Sequence, residues 1–365
     1  MTQNELNKII ENHQHYLNKD IDGWESMRAD LSYKNLSGLY LSNANLYGAN
    51  LNNANLRKAH LKNADLSNVD LSNANLNNAN LRKAHLRNAD LRNADLSNAD
   101  LINADLREAN LSNADFRNAD LINANLAYTD LRNADLKEAN IRKANLREAN
   151  LSNANLRSAN LNNVNLREAN LYGANLIYVN LNNSALNNAD LREANLYRAF
   201  CCYTNLCGVD LRNADLSEAD MYGANLRDTN LFGVNLKNAN IIHAGISKDA
   251  KIDYSIACPE TGSFIGYKKA VSGKIVKIIK LQICEDAKRS SATTKKCRCS
   301  KALVLAIENI DGSDSGLQEI SSTFDPFFIY RVGEIVEVSD FDDNRWRECA
   351  PGIHFFMDRQ DAVEY

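Results

Sequence analysis

From residue 31 to residue 246 an apolar residue, usually leucine, returns at every fifth position without an insertion. The run holds about 44 units of the form Ala-(Asp/Asn)-Leu-x-x. Ala44-Asn45-Leu46-Tyr47-Gly48 and Ala149-Asn150-Leu151-Ser152-Asn153 are examples. An α-helix advances about 100° per residue, so a five-residue step turns each leucine about 140° from the last and builds no stripe. In a flat strand five is odd, so successive leucines would point to opposite faces. A chain that bends by the same angle once per unit can aim every Leu and Ala at one axis. The repeat therefore specifies a solenoid.

The residue types fit a narrow interior of alternating large and small apolar groups. Exceptions at the leucine position are conservative: Phe116, Ile141, Cys201, Met221, Ile241 and Ile246. At the alanine position Val69, Val164, Val179, Val209 and Val234 add volume. Thr129, Ser184, Thr204 and Thr229 bring hydroxyls there that need partners. No proline precedes Pro259, so every backbone N–H in the run can donate to a neighbouring coil. Asparagines at matching positions are expected to stack as amide ladders along the axis.

On these residues, 29–246 resembles the pentapeptide repeat proteins. The resemblance implies a mainly β fold, a right-handed quadrilateral β-helix with four units per coil. That corresponds to about 11 coils and, at a spacing near 4.8 Å, a rod roughly 50 Å long. Some members of the family act as DNA mimics that bind bacterial DNA gyrase through a strongly acidic rod. This sequence does not follow that charge pattern. Between Leu31 and Ile246 about 22 Lys and Arg face about 21 Asp and Glu, whereas a ~50 Å decoy needs roughly 30 uncompensated negative charges.

With four units per coil, residues 20 apart stack. Arg87, Arg107, Arg147, Arg167 and Arg227 then share one face beside Glu108, Glu148, Glu168 and Asp228. Arg92, Arg132, Arg192 and Arg212 lie on another near Asp90, Asp130, Asp190 and Asp210. The bland expectation is a solvated surface of weak ion pairs; the sharper one is a docking face. Aromatic residues gather late in the run, and Tyr197, Phe200 and Tyr203 complete the candidate interaction surface.

The flanks differ. Asn4 followed by Glu5 to Glu11 opens an amphipathic helix with Leu6, Ile9, Ile10 and Leu17 on one side. Residues 1–28 are read as a cap over the open end of the coil, with Trp24 and Met27 closing it. Residues 29–250 are the repeat and 251–365 a small β-rich α+β domain. Apolar runs at 274–281, 302–307, 327–330, 334–338 and 352–356 read as strands. Ala287-Lys288-Arg289-Ser290-Ser291 and Cys349-Ala350-Pro351-Gly352-Ile353-His354-Phe355-Phe356 resemble an uncharacterised domain found after pentapeptide repeats in bacterial and phage proteins.

Chemistry is sparse. Cys284, Cys297, Cys299, Cys349 and His354 are weak zinc candidates, because C-x-C lacks paired C-x-x-C knuckles. Residues 268–301 carry about 11 Lys and Arg against Glu285 and Asp286. Lys288, Arg289, Lys295, Lys296 and Arg298 form a candidate basic patch, for which nucleic acid is the lesser reading and self-neutralisation within the domain the main one. No phosphate loop, nucleophile–base pair or paired-carboxylate site stands out, so no cofactor, no bound metal and no catalytic residue is expected. Eight cysteines without an export signal read as reduced thiols in a cytoplasmic protein. No apolar run approaches a bilayer span. The sequence thus points to a non-enzymatic rod presenting a C-terminal module to an unidentified protein partner, with self-association left open. The alternatives are a gyrase-binding DNA mimic and an enzymatic or zinc-binding activity confined to the C-terminal domain.

Overall fold

The computed structural model describes residues 1–247, 250, 257–272, 275–291, 294–344 and 350–365. The chain forms two compact units, Met1–Leu236 with Ala244–Asp253, and Lys237–His243 with Tyr254–Tyr365. The fold is mainly β, with a helix at the N-terminus.

In the first unit the backbone closes on itself every 20 residues. Parallel bridges join Asp30 to Asn50, Asn35 to Asn55, and so on through Asp215 to Asn235. These contacts are single-residue bridges, apart from β1 (Asn225–Leu226) paired with β2 (Gly245–Ile246). Each five-residue repeat, or pentad, contributes a short bridge and a corner instead of a continuous strand.

The pentad accounts for each of its backbone donors. In the pentad Ala49 to Asn53 the Ala49 N–H closes a tight turn on Leu46 O at 2.9 Å. Asn50 N donates back to Ala29 O, Leu51 N forward to Asp70 O, and Asn53 N forward to Ser72 O. The fifth donor, Asn52 N, goes to the Asn50 side-chain oxygen at 3.1 Å. A short carboxylate or amide two residues upstream can satisfy that N–H locally, which explains the Asp/Asn preference. The turn needs a left-handed residue at the second outer position. Asn is the commonest residue there, Asn53, Asn73 and Asn118 having φ of 56°, 59° and 58°. With every N–H committed, proline has no tolerated place.

The interior is a column of leucines at 0–1% exposure, interleaved with buried alanines. Phe116 and Cys201 are equally buried within it. The hydroxyls at the alanine position find backbone acceptors: Thr129 donates to Leu126 O, Ser184 to Leu161 O, Thr204 to Leu181 O and Thr229 to Leu206 O. Outside, amide ladders run along Asn125–Asn145–Asn165 and Asp135–Asn155–Asn175.

The start of the coil is covered by α1 (Gln3–Asn18) and a short 3-10 turn at Trp24–Met27. The helix is capped by Thr2, two residues before the expected Asn4, in a reciprocal box with Glu5. Leu6 is fully buried, while Trp24 and Met27 are half-buried. His13, also fully buried, accepts from Ala29 N at Nδ1 and donates from Nε2 to Tyr47 O, each at 3.1 Å.

The second unit is built on a seven-stranded sheet. Its strands are β3 (Phe264–Ser272), β4 (Ile275–Ile283), β5 (Arg289–Ser291), β6 (Lys296–Cys299), β7 (Lys301–Glu308), β10 (Ile335–Glu337) and β11 (Ile353–Phe356). The order across the sheet is β10-β7-β4-β3-β11-β6-β5, and every described pairing is antiparallel. A separate hairpin joins β8 (Glu319–Ser321) to β9 (Ile329–Arg331). Alternation along β4 sends Ile279, Leu281 and Ile283 into the main core with Phe355, Val304 and Tyr330. Ile278 instead joins Phe356 and Ala362 beneath α2 (Arg359–Glu364). Arg359 pins the start of α2 through Glu308 at 2.9 Å and the carbonyls of Asn309 and Ile310.

Candidate functional site

The outward face of the repeat is largely neutralised in place. In Asp-Leu-Arg pentads the arginine folds back on the aspartate two residues before it. Arg92–Asp90, Arg107–Asp105, Arg132–Asp130 and Arg192–Asp190 lie at 2.6 Å, and Arg212–Asp210 at 2.7 Å. The hydrogen bonds from Arg132, Arg192 and Arg212 hold the carboxyls of Asp130, Asp190 and Asp210 below the usual range. On the first arginine face, Arg87 reaches Glu108 at 2.6 Å, and Arg147 reaches Glu148 at 2.9 Å and Glu168 at 3.6 Å. Among the described residues Arg167 and Arg227 have no ion pair, so this face keeps two uncommitted guanidinium groups.

Near the end of the run aromatic rings stand on this charged surface. Arg198 bonds Glu218 at 2.6 Å and lies 5.1 Å from the Tyr197 ring centre, while Tyr178 meets Tyr197 edge-on at 6.1 Å. Tyr203 meets Tyr222 at 5.6 Å. Gly223 makes this pair fit: it has a φ of 65°, and a Cβ there would stand 2.8 Å from the Tyr203 ring. Phe200, at the position normally held by Asp or Asn, is exposed, as is Tyr203. Tyr197 is half-buried.

The second unit contains a cavity of about 520 Å³, continuous in its lining with a smaller one of about 230 Å³. Three strands position its polar side chains. Lys268 comes from β3, Lys296 from β6 and His354 from β11, all three lining both spaces. Phe324, Phe328, Tyr330 and Tyr365 supply aromatic walls. Lys268 is 8% exposed and lies 5.8 Å from the Tyr330 ring centre. Burial, reinforced by the like charge of Lys296, pushes its ammonium down to about 8. Burial also pushes the Cys299 thiol up to about 12 and the Tyr330 phenol up, so both stay neutral beside Lys268. Lys296 donates to the Tyr365 hydroxyl at 2.8 Å.

The sequence nominated Lys296 and His354 but placed them in different features, and it missed Lys268. The only signal for Lys268 was a lysine at an inward-facing register of an apolar strand. The other nominated cations are dispersed. Arg298 is buried, donating to Asn344 O at 2.9 Å and Ser290 Oγ at 3.4 Å. Arg289 spends its guanidinium on the carbonyls of Pro259, Gly262, Cys284 and Glu285. Lys295 pairs with Asp361 at 2.7 Å, and Lys288 is exposed.

Of the zinc candidates, Cys297 and Cys299 are buried thiols, Cys284 is half-buried, and Cys349 lies outside the described residues. Cys297 shares a thiol hydrogen bond with Cys258 that keeps the proton on Cys297. Among the described residues no three His, Cys, Asp or Glu side chains gather closely enough to hold a metal ion, and no helix is long and apolar enough to cross a membrane.

Residues 27–244 match the pentapeptide repeats in overlapping segments, and residues 254–362 match a family of unknown function, DUF5758. No curated protein matches the chain. Among solved structures, HetL, a pentapeptide repeat protein involved in heterocyst differentiation regulation in the cyanobacterium Nostoc sp., is 33% identical. That match covers 66% of this chain and 96% of HetL, with a TM-score of 0.49. Rfr23, a pentapeptide repeat protein of the cyanobacterium Cyanothece, is 29% identical over 31% of this chain and 91% of its own, with a TM-score of 0.31. A trypsin-treated form of QnrB1, a plasmid-mediated fluoroquinolone resistance protein, is 22% identical over 54% of this chain and 89% of its own, at 0.28. With repeat matches over residues 27–244 and a coil that closes every four pentads, the chain belongs to the pentapeptide repeat family and joins that repeat to a DUF5758 domain.

Proposed function

We propose that this protein is a non-enzymatic, cytoplasmic interaction protein. A right-handed quadrilateral β-helix over residues 29–250, closed by the cap at 1–28, presents the module at 251–365 and contacts a protein partner through its own late coils. Rings and a guanidinium on the late coils, Tyr178 and Tyr197 with Arg198 and, on the following pentad, the exposed Phe200 and Tyr203, carry this reading. Aromatic residues and arginine dominate the energetics of protein contacts, and about half of the remaining charge on the coil is already paired. Photocrosslinking groups placed at Tyr203 and at Asn118 test it. A single protein captured at Tyr203 and not at Asn118 is expected, and equal labelling at both would sink the idea.

The decoy reading has one observation in its favour, the column Asp95–Asp115–Asp135 joined by successive bridges. It spans three coils, roughly 10 Å, and Arg117 lies 3.9 Å from Asp135 within it. A duplex surrogate needs an uncompensated face several times longer. The full chain is therefore expected to leave DNA gyrase supercoiling unaffected at micromolar concentration. Sub-micromolar inhibition would establish the decoy instead.

A further inference from the structure

Lys268 is the group in this molecule whose chemistry the fold leaves unanswered. The residue is only 8% exposed, yet it lines both cavities of the second unit. Among the described residues no carboxylate pairs with its ammonium and no acceptor hydrogen-bonds to it. Lys296 repels it and Cys299, which burial keeps neutral, lies near it, while His354 lines both cavities with the two lysines. The Tyr330 ring at 5.8 Å offers a partial cation–π contact. Asp325 and Asp340 stand exposed along the cavity lining, neither within ion-pair distance of either lysine. A lysine serving only as packing could be replaced by methionine at no electrostatic cost, because burying an unpaired charge is strongly unfavourable.

We propose that this cavity binds a small organic anion, whose carboxylate or phosphate group sits between Lys268 and Lys296 and whose apolar body lies against Phe324, Phe328 and Tyr365. The volume of about 520 Å³ falls in the range of small-molecule sites. Two adjacent ammonium groups exclude a metal cation and demand negative charge. The apolar wall favours an aryl or alkyl anion over a bare inorganic one, and a half-open pocket of this limited volume favours a small molecule over a nucleic-acid backbone. This conclusion is independent of the contact surface on the coil.

Calorimetric titration of the full chain with phenyl phosphate, benzoate and inorganic phosphate, in low-chloride buffer, tests it. One of the two aryl anions is expected to saturate at one site per chain and more tightly than inorganic phosphate. Lys268→Met should weaken it about tenfold or more, with Lys288→Met unchanged. A readout on the unsubstituted chain guards against misfolding of the variant. Acetic anhydride labelling of Lys268, followed by mass spectrometry, should slow about fivefold or more in the presence of that anion, with Lys288 unaffected. Failure of both aryl anions to bind, binding no tighter than inorganic phosphate, or unchanged labelling of Lys268 would overturn the proposal.

Discussion

At the second outer position of its pentad, Asn118 holds a φ of 58° and its side chain makes no hydrogen bond among the described residues. The position therefore isolates the cost of the left-handed corner. Asn118→Val should destabilise the coil by about 1–2 kcal/mol, because a β-branched residue fits that region poorly, while Asn118→Gly should be nearly neutral. Urea unfolding of the two variants checks this. Lys268 supplies a second test at this scale. Its folded value near 8 lies below the ordinary 10.5, so between those values the unfolded chain binds more protons. Stability must then rise with pH through that window, by about 3 kcal/mol in the absence of ligand. The difference between wild type and Lys268→Met isolates this contribution, because Lys296, Cys299, Tyr330, His354, Asp325 and Asp340 are common to both. A flat difference from pH 7 to 10.5 would contradict the assignment. Both residues show what the sequence withheld. The Asn preference of the outer position was visible, but its cause was a backbone dihedral. Lys268 looked like one more basic residue in a basic run until the strand register turned it inward.

The cap is the element where local signals were strongest and still incomplete. The apolar spacing of Leu6, Ile9, Ile10 and Leu17 announced α1, and Thr2 with Glu5 bounds it. What fastens the helix to the coil is His13, whose two ring nitrogens satisfy Ala29 N–H and Tyr47 C=O. That arrangement requires a neutral ring, and burial lowers the pKa of His13 below 6.5. A depressed histidine contributes stability above its unfolded value that is lost as pH falls through its folded one. Amide exchange at Ala29 is therefore expected to accelerate as pH falls below 6.5, after correction for the intrinsic pH dependence, while exchange at Asn125 does not. His13→Ala should speed the same amide at neutral pH, at a cost of about 1–3 kcal/mol for two orphaned backbone groups. No periodicity argument could have found this residue, since it is polar and its partners lie 16 and 34 positions away.

Across the whole repeat, columns of residues 20 apart define the unit of tolerance. Deleting residues 131–150 removes one coil and keeps every column aligned, so that Asn165 falls beneath Asn125 and the amide ladder survives. Deleting 131–135 removes less chain but sets each residue of the first coil after the cut against one 25 positions earlier. The Asn125–Asn145 and Asp135–Asn155 links are then lost at the cut, while Asn145–Asn165, Asn155–Asn175 and the in-pentad Arg–Asp pairs persist. The shorter deletion should therefore be the more damaging, by roughly 1–2 kcal/mol. Denaturant midpoints that rank the two deletions the other way would refute the column argument.

The five-residue beat by itself determined the coil, because a period that suits neither helix nor strand leaves only a chain that turns once per repeat. Composition and local apolar spacing determined the near balance of charge on the coil and the N-terminal helix, whereas the 20-residue stacking interval was implied only by the family resemblance and is carried by the parallel bridges. The pairing of each arginine with its own aspartate, the histidine that bolts the cap and the two-lysine cavity of the second unit were decided by tertiary structure. Those features join residues far apart in sequence or depend on which way a side chain leaves its strand. Strand order and register set both, and in the second unit that order brings β3, β11 and β6 together from opposite ends of the domain.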